Sequence, residues 1–139
     1  MGQEKSCGAI VFRKQKDDIK YLLLHYEAKH WDFPKGKQEK GETEQATVTR
    51  EVKEETGIED IKFAEGFKET ISYFYRQNEE VIHKEVVFFL AETKTEEVKI
   101  SFEHVGYAWM SYENAYKRLT FNNSKEVLKK TDEFLKKNS

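Results

Sequence analysis

The segment from Gly36 to Ile58 constrains the fold of this chain most strongly. Its second half, Thr43 to Thr56, has helical periodicity, and Gly57 follows at the position where a glycine ends many helices. The stretch that leads into it, Ala28 to Gly41, contains the only proline, Pro34, and predicts a loop. Long loops in compact domains are usually functional or disordered, and the aromatic residues in this one favour an ordered, functional loop.

Three glutamates share the predicted helix. At about 100° per residue, Glu51 and Glu55 lie roughly 40° apart, and Glu54 lies about 60° to the other side of Glu51. The carboxylates therefore flank the apolar stripe, and their repulsion destabilises the helix unless a cation compensates it. Mg²⁺ prefers oxygen ligands and commonly sits between carboxylates and substrate phosphates. Arg50 is spaced to hold Glu54. The alternative interpretation is an ordinary solvated acidic helix face.

The composition limits the class of protein. The chain has 139 residues, 37% of them hydrophobic and 14% aromatic, which predicts one domain over residues 1–139 with its own core. A net charge of −2 disfavours a stable nucleic-acid partner, which requires a basic surface. The longest apolar run, Val86 to Ala91, is too short to span a membrane. The single cysteine, Cys7, fits a cytoplasmic compartment, and the sequence leaves the oligomeric state open.

Apolar periodicity predicts the remaining elements. Strand-like patterns occupy Ser6–Arg13, Ile19–Tyr26, Ile61–Arg76 with a break near Gly66, Val81–Thr93, Val98–Phe102 and Tyr107–Met110. Helical patterns occupy Tyr112–Leu119 and Ser124–Lys137, the latter with an inward face of Val127, Leu128, Phe134 and Leu135. Such a mixture predicts an α+β fold, layered as an α/β/α sandwich.

The spacing of the glutamate segment resembles the Nudix box. That pattern is a glycine, five residues, a glutamate, seven residues, and then Arg-Glu-apolar-x-Glu-Glu-x-Gly-apolar. Every defined position is matched, by Gly36, Glu42, Arg50, Glu51, Val52, Glu54, Glu55, Gly57 and Ile58. The resemblance implies a mixed sheet between helices, with the box as a loop, a helix and a loop. It also implies hydrolysis of a nucleoside diphosphate linked to another group.

The same resemblance assigns roles within the box. Glu51, Glu54 and Glu55 are expected to bind Mg²⁺, for which Mn²⁺ can substitute, with help from the carbonyl of Gly36. Arg50 is expected to orient a carboxylate, so that Arg50, Glu51 and Glu54 are the catalytic residues of the box. Glu42, in the loop before the helix, is expected to support the box. These residue types suit the chemistry, because a phosphoanhydride needs charge neutralisation and an activated water.

Outside the box, the chain resembles the asymmetrically cleaving diadenosine tetraphosphate hydrolases of the animal and archaeal type. The matching stretches are residues 7–13, 30–36, 65–68 and 89–92. The resemblance implies cleavage of diadenosine tetraphosphate to ATP and AMP. One departure is Phe33, because relatives often have a second proline before Pro34.

Four polar residues are site candidates through this resemblance. His30 and Lys35 flank the loop before the box and are expected to bind phosphate, as is Lys84. Glu103 is expected to join the metal site or to act as a base. The alternatives are a surface histidine beside Trp31 for His30, a solvent-facing strand residue for Lys84 and an ordinary acidic loop residue for Glu103.

Two aromatic residues are candidates for binding the base. Tyr73 matches an adenine-stacking tyrosine of the branch, and it shares a strand face with Tyr75. Phe121 lies where relatives have a second stacking aromatic. The alternative for each of these rings is packing in the core.

The leading hypothesis is therefore an enzyme that hydrolyses diadenosine polyphosphates. The same box occurs in pyrophosphohydrolases of RNA 5′ ends and of nucleoside triphosphates, which are the alternative enzymes. A non-catalytic nucleotide sensor is a third possibility, which the intact Glu51, Glu54 and Glu55 disfavour.

Overall fold

The computed structural model describes residues 2–138, so Met1 and Ser139, the ends of the predicted domain, lie outside the described residues. Within residues 2–138 the chain forms seven strands and three helices. In chain order they are β1 (Gly2–Gln15), β2 (Asp18–Tyr26), β3 (Trp31–Asp32), β4 (Lys35–Lys37), α1 (Glu44–Thr56), β5 (Lys62–Gln77), β6 (Glu80–Glu92), β7 (His104–Met110), α2 (Tyr112–Arg118) and α3 (Asn122–Lys137).

Strand β1 lies at the centre of a mixed sheet. The order across the sheet is β3-β2-β1-β6-β5, with β4 paired to β1 and β7 paired to β2. β1 runs parallel to β6 over most of its length and antiparallel to β2 and β4. The β5–β6 pair is a long antiparallel hairpin whose register shifts between Phe63 and Lys68, around Gly66 with its φ of +90°. The predicted break near Gly66 is confirmed as this irregularity in pairing.

The sheet is covered on both faces. Alternate residues of β1 point to opposite sides, so Ile10 and Phe12 join one buried cluster and Ala9 and Val11 join the other. Helices α2 and α3 cover the first cluster, and α1 covers the second with its apolar stripe. The α/β/α sandwich is therefore confirmed. The predicted inward face of α3 is confirmed as well, since Val127, Leu128, Phe134 and Leu135 pack on the first cluster. Within residues 2–138, the helices are too short or too polar to cross a membrane.

The predicted strand Val98–Phe102 is wrong. Its alternating side chains imitate a strand, and Val98 and Ile100 do pack on the α1 side of the sheet. Its backbone, however, bonds to the end of a helix, since the Lys99 N–H donates to the Thr56 carbonyl at 2.9 Å. The carbonyls of a helix's last turn need such donors, and this segment supplies one.

The predicted loop Ala28–Gly41 contains two short strands. β3 pairs with β2 through Trp31 and Asp32, and β4 pairs with β1, where Gly36 lies opposite Cys7. Phe33 between them is fully buried and its ring meets that of Phe88 at 5.9 Å. The departure from the expected pattern at Phe33 thus fills the core.

The turn between β5 and β6 is strained, because both of its residues, Asn78 (φ 49°) and Glu79 (φ 68°), have positive φ angles. Gln77 pairs with Glu80, so the hairpin has a two-residue loop of the type that favours Asn-Gly. We expect Glu79→Gly to raise the free energy of unfolding by about 1 kcal/mol. Urea unfolding measures this change. A stability equal to or below that of the wild type would contradict the assignment of strain.

Candidate active site

Helix α1 begins and ends at well-formed caps. The Thr43 side chain accepts a hydrogen bond from the Ala46 N–H, and Gly57 adopts a φ of 77° and bonds back to the Lys53 carbonyl. Val48 and Val52 are fully buried against the sheet. The helix is therefore fixed at both ends and along one face, so its glutamates project from a rigid support.

The three glutamates of α1 lie in different environments. Glu55 is 5% exposed and the Glu51 side chain 13%, whereas the Glu54 side chain is 58% exposed. A solvated acidic face would leave all three in water. The burial of Glu51 and Glu55 against the loop contradicts that interpretation, because a carboxylate is rarely buried without a specific partner.

Arg50 connects this helix to the preceding loop. Its guanidinium donates to Glu42 through Nε at 2.7 Å and Nη2 at 3.0 Å, to Glu51 at 2.8 Å and to the Lys37 carbonyl at 3.0 Å. The contact with Glu54, at 3.4 Å, is the longest of the set. The hydrogen bonds from Arg50 lower the pKa of Glu42 to about 2. Glu42 therefore supports the loop, as expected, and Arg50 holds Glu51 more closely than Glu54.

Glu55 is buried next to the loop. Desolvation, and then the charge of Glu51, raise its pKa to about 8, while a hydrogen bond from the Lys35 N–H at 3.2 Å acts in the opposite direction. Burial also raises the pKa of Glu51. Two neighbouring carboxylates that resist ionisation are the environment that a divalent cation relieves.

The loop approaches these carboxylates closely at Gly36. A Cβ atom at this position would overlap the Glu51 carboxylate and displace it, so glycine allows the backbone to lie this near to the carboxylate. Carboxylate oxygens beside a backbone carbonyl form a donor set that fits a hard cation. Within residues 2–138, no three acidic, histidine or cysteine side chains already converge on one point. The outward position of Glu54 accounts for this, because its exposed side chain must turn to meet an ion beside Glu51 and Glu55.

Glu103 faces the same site from another element. It lies exposed in the turn before β7, and its backbone carbonyl accepts the Glu27 N–H at 3.0 Å. Its charge contributes to the raised pKa values of both Glu51 and Glu55. The fold thus brings this glutamate, distant in sequence, within electrostatic reach of those of α1.

A pocket adjoins the carboxylates on the other side. It is lined by Asp32, Lys35, Ile71, Tyr73, Phe121, Asn123 and Ser124, and encloses about 190 Å³. Phe121 is 46% exposed, which contradicts the alternative that it is a core residue. Three predicted substrate-binding residues, Lys35, Tyr73 and Phe121, therefore share one pocket. Because the Lys35 N–H bonds Glu55, this pocket and the acidic site are contiguous.

Asp32 anchors the pocket and was missed from the sequence. It is 1% exposed, receives hydrogen bonds from the Ser124 hydroxyl at 2.8 Å and the Phe33 N–H at 2.9 Å, and pairs with the Lys35 ammonium at 2.9 Å. The signal was present, because an acidic residue between Trp31 and Phe33 must find partners on burial. Asp32 fixes the position of the Lys35 ammonium group and connects α3 to the loop through Ser124.

His30 and Lys84 lie at the margin of the pocket. The His30 ring stacks on Tyr26 at 4.5 Å and meets Phe121 at 5.4 Å, and burial lowers its pKa. Lys84 lies opposite Tyr73 in the β5–β6 ladder and pairs with Glu4 at 3.5 Å. Burial, together with the nearby charge of Lys35, lowers the pKa of Lys84. Neither residue lines the pocket itself, but His30 contacts Phe121 and Lys84 lies opposite Tyr73, and both of these partners line it.

Two further residues near the site, Tyr26 and His104, were also missed. Tyr26 donates its hydroxyl to the Phe33 carbonyl at 2.9 Å, and desolvation followed by the charge of Glu55 raises its pKa well above the usual value. His104 packs edge-on against Tyr26 at 4.4 Å. Within the described range 2–138, its Nε2 is the buried side-chain polar atom that lacks a hydrogen-bond partner. Sequence periodicity alone gave no signal for either residue.

The tryptophan of the loop is held from both sides next to the pocket. The ring of Trp31 stacks on His25 at 4.4 Å, and the Arg118 guanidinium lies 5.0 Å from the ring centre. Its backbone N–H donates to the Thr120 hydroxyl at 2.8 Å. These contacts connect the pocket loop to α2.

Comparison with known proteins agrees with this arrangement. The asymmetrical bis(5′-nucleosyl)-tetraphosphatase of Mus musculus is 35% identical, over 94% of this chain and 95% of that protein. The enzyme of the same name from Caenorhabditis elegans is 32% identical, over 94% and 96% respectively. A crystal structure of a C. elegans Ap4A hydrolase binary complex superposes with a TM-score of 0.84 at 32% identity, covering 95% of this chain and 97% of that one. The profile of the NUDIX domain matches residues 3–131. The chain is therefore a member of the NUDIX family, with the fold and box of its hydrolases.

Proposed function

We propose that this NUDIX hydrolase cleaves dinucleoside polyphosphates and converts diadenosine tetraphosphate to ATP and AMP. The observation that carries the proposal is the continuity of two sites, since Lys35 lines the aromatic pocket and its N–H bonds the buried Glu55. The names of the mouse and nematode relatives support the same substrate. We place the activity in the cytoplasm, because the buried free thiol of Cys7 is typical of a reducing compartment.

The acidic site is proposed to bind Mg²⁺, with Mn²⁺ as a substitute. NUDIX hydrolases generally use divalent metal ions. Glu51, Glu54, Glu55, Glu103 and the carbonyl of Gly36 would hold the ion. The bound metal would neutralise phosphate charge and lower the pKa of the attacking water. The buried, hard-to-ionise Glu55 and the glycine opposite Glu51 support this assignment.

The protein's own groups would align the reactants. Arg50 positions Glu51 while anchored to Glu42 and the loop carbonyl, which fixes the direction of the carboxylate. A water oxygen attacks phosphorus, its proton passes to a carboxylate, and the P–O bond to the leaving nucleotide breaks. Glu54 and Glu103 are the proposed bases, because both side chains are exposed to solvent, from which the attacking water comes.

The pocket is proposed to hold one nucleoside end. Tyr73 and Phe121 would stack on the base, and Lys35, Lys84 and His30 would contact the phosphates. Asp32 keeps Lys35 at the junction between the pocket and the acidic site. This division of roles predicts that loss of an aromatic ring weakens binding more than it slows the chemical step.

Tyr73→Ala is expected to raise KM for diadenosine tetraphosphate about tenfold or more, with a smaller change in kcat, because stacking of a base on an aromatic ring is lost. Steady-state kinetics measure both constants. Tyr73→Phe is the matched control and should retain nearly normal KM, since the ring remains. A drop in kcat at unchanged KM would contradict a base-binding role for Tyr73.

A substrate panel tests the proposed function directly. The protein is incubated with Mg²⁺ and dinucleoside polyphosphates, nucleoside triphosphates or triphosphorylated RNA, and the products are identified by chromatography. ATP plus AMP from diadenosine tetraphosphate at the highest kcat/KM is the expected result. Preferred turnover of RNA ends or triphosphates would reject this substrate. Tight nucleotide binding without turnover of any compound would instead indicate a sensor.

A further inference from the structure

Phe102 is an aromatic side chain without a place in the core. It is 91% exposed, the highest value among the large apolar residues described as exposed in residues 2–138. Val105 and Tyr107, close by in sequence, are also exposed, at 59% and 41%. On β7 these two share one face, because strand residues two apart point the same way. An accumulation of exposed apolar groups is a feature of binding surfaces.

The turn that carries Phe102 is firmly braced. The His104 N–H donates to the Ser101 carbonyl at 3.1 Å, and the side chains of these two residues form a hydrogen bond of 2.9 Å. The Glu103 carbonyl accepts the Glu27 N–H, and the His104 ring packs against Tyr26. The phenyl ring is therefore presented to solvent by an ordered turn, which lowers the entropic cost of binding a ligand.

The position of this turn relative to the site suggests its ligand. The turn contacts the loop that covers Glu55, because the His104 ring packs against Tyr26, whose hydroxyl donates to the Phe33 carbonyl at 2.9 Å. The aromatic pocket adjoins Glu55 through Lys35. A phosphate chain bound at the carboxylates therefore has the pocket at one side and the turn of Glu103 at another. A dinucleoside polyphosphate carries a nucleoside at each end of this chain, and only one end fits in the pocket.

We propose that Phe102 is a stacking platform for the second nucleobase of a dinucleoside polyphosphate, an inference that rests on the proposed function. Every nucleobase offers a π face, so one exposed ring can bind the distal base without reading its identity. The platform would favour substrates with two nucleosides over mononucleotides with the same phosphate chain. Phe102 would thus be a specificity-determining residue of this enzyme.

The test compares two substrates that differ only in the second nucleoside, diadenosine tetraphosphate and adenosine 5′-tetraphosphate, each with Mg²⁺. Phe102→Ala is expected to raise KM for the dinucleotide about tenfold and to leave KM for the mononucleotide unchanged. Phe102→Trp should restore the dinucleotide's KM. Thermal unfolding should be unaffected in both variants, because the side chain is exposed and contributes little to the core.

Phe74→Ala is the matched control. Phe74 is also an exposed phenylalanine, at 62%, but it lies on β5 beside His83. It should leave both KM values unchanged. Equal KM changes for the two substrates in Phe102→Ala, or no change in either, would overturn the proposal. So would a change in oligomeric state without a kinetic effect, because the apolar surface would then be a contact between copies of the chain.

Failure of the proposed function gives a different result. In that case the wild type prefers another substrate or hydrolyses neither compound, and calorimetric titration of the wild type and Phe102→Ala with the same two ligands tests the platform. An affinity advantage of the dinucleotide that disappears in Phe102→Ala supports it. Equal affinity of the wild type for both ligands overturns it.

Discussion

Glu55→Gln is expected to lower kcat for diadenosine tetraphosphate by about 100-fold or more, with the fold intact. Glutamine has nearly the same shape and can still accept the hydrogen bond from the Lys35 N–H, but it cannot supply the negative charge that a metal ligand provides. General acid–base catalysis by a positioned side chain contributes about 10²- to 10⁴-fold to rate, and we expect a loss of this order when a metal ligand is removed. The measurement is steady-state kinetics at saturating substrate over a range of Mg²⁺ concentrations.

Glu59→Gln is the control for this variant. Glu59 follows the same helix, and its carboxylate only contacts Lys53, at 3.8 Å between two exposed side chains. Loss of this charge should leave kcat and the Mg²⁺ dependence unchanged. Near-normal turnover in Glu55→Gln would reject Glu55 as a metal ligand. Equal losses in both variants would indicate a general effect of charge rather than a site.

The metal-free protein is expected to lose stability as the pH rises from about 4.5 to 8. The folded-state pKa of Glu55 is raised to about 8 from an ordinary value of 4.5, so the unfolded chain ionises first. Below pH 4.5 Glu55 is protonated in both the folded and the unfolded chain, so its burial costs no ionisation energy. As the pH rises toward 8, the carboxyl ionises in the unfolded chain only, and the free energy of unfolding falls. The linkage relation gives a loss of up to about 5 kcal/mol over this window. Glu51, whose pKa is also raised, adds in the same direction.

Urea unfolding at several pH values in the presence of a chelator measures this loss. Glu55→Gln should flatten the profile, because glutamine does not ionise, and it should be more stable than the wild type at pH 8 without metal. Saturating Mg²⁺ should stabilise the wild type more than the variant, because ligands stabilise the state that binds them. Parallel pH profiles for the two proteins would contradict the burial of an ionisable Glu55.

The same residue therefore has opposite expected effects on activity and on metal-free stability. Such a trade is common where an active site retains groups that the fold alone would not favour. The raised pKa of Glu55 shows that burial of this carboxylate beneath the loop makes its ionised form unfavourable. Binding of a cation would stabilise the ionised form.

Local patterns in the sequence predicted much of the fold. The caps Thr43 and Gly57 delimit α1 in the structure within one residue of the predicted helix, and the alternation along β1 matches its two buried faces. These features depend on residues close in the chain, where spacing alone determines which side chains share a face. The segment Val98–Phe102 was predicted wrongly because its partner, the end of α1, is far away in sequence.

In the candidate site, too, contacts between segments distant in sequence were not predicted. The box predicted which glutamates lie together, but their unequal burial depends on the loop that covers Glu55 and leaves Glu54 exposed. The pairing of Asp32 with Lys35 and with Ser124 of α3 joins segments that no periodicity relates. Contacts of this kind follow from the way the layers pack, and only the three-dimensional arrangement reveals them.

The position of Trp31 beside the pocket makes its fluorescence a probe of ligand binding. Trp31 lies in the pocket loop between His25 and Arg118, while the other tryptophan, Trp109, lies beside Arg13 and donates its indole N–H to the Glu96 carbonyl. In a Trp109→Phe protein, the tryptophan fluorescence would come from Trp31 alone. Ligand binding could then be followed by emission, without any label, in variants too slow for kinetic assays.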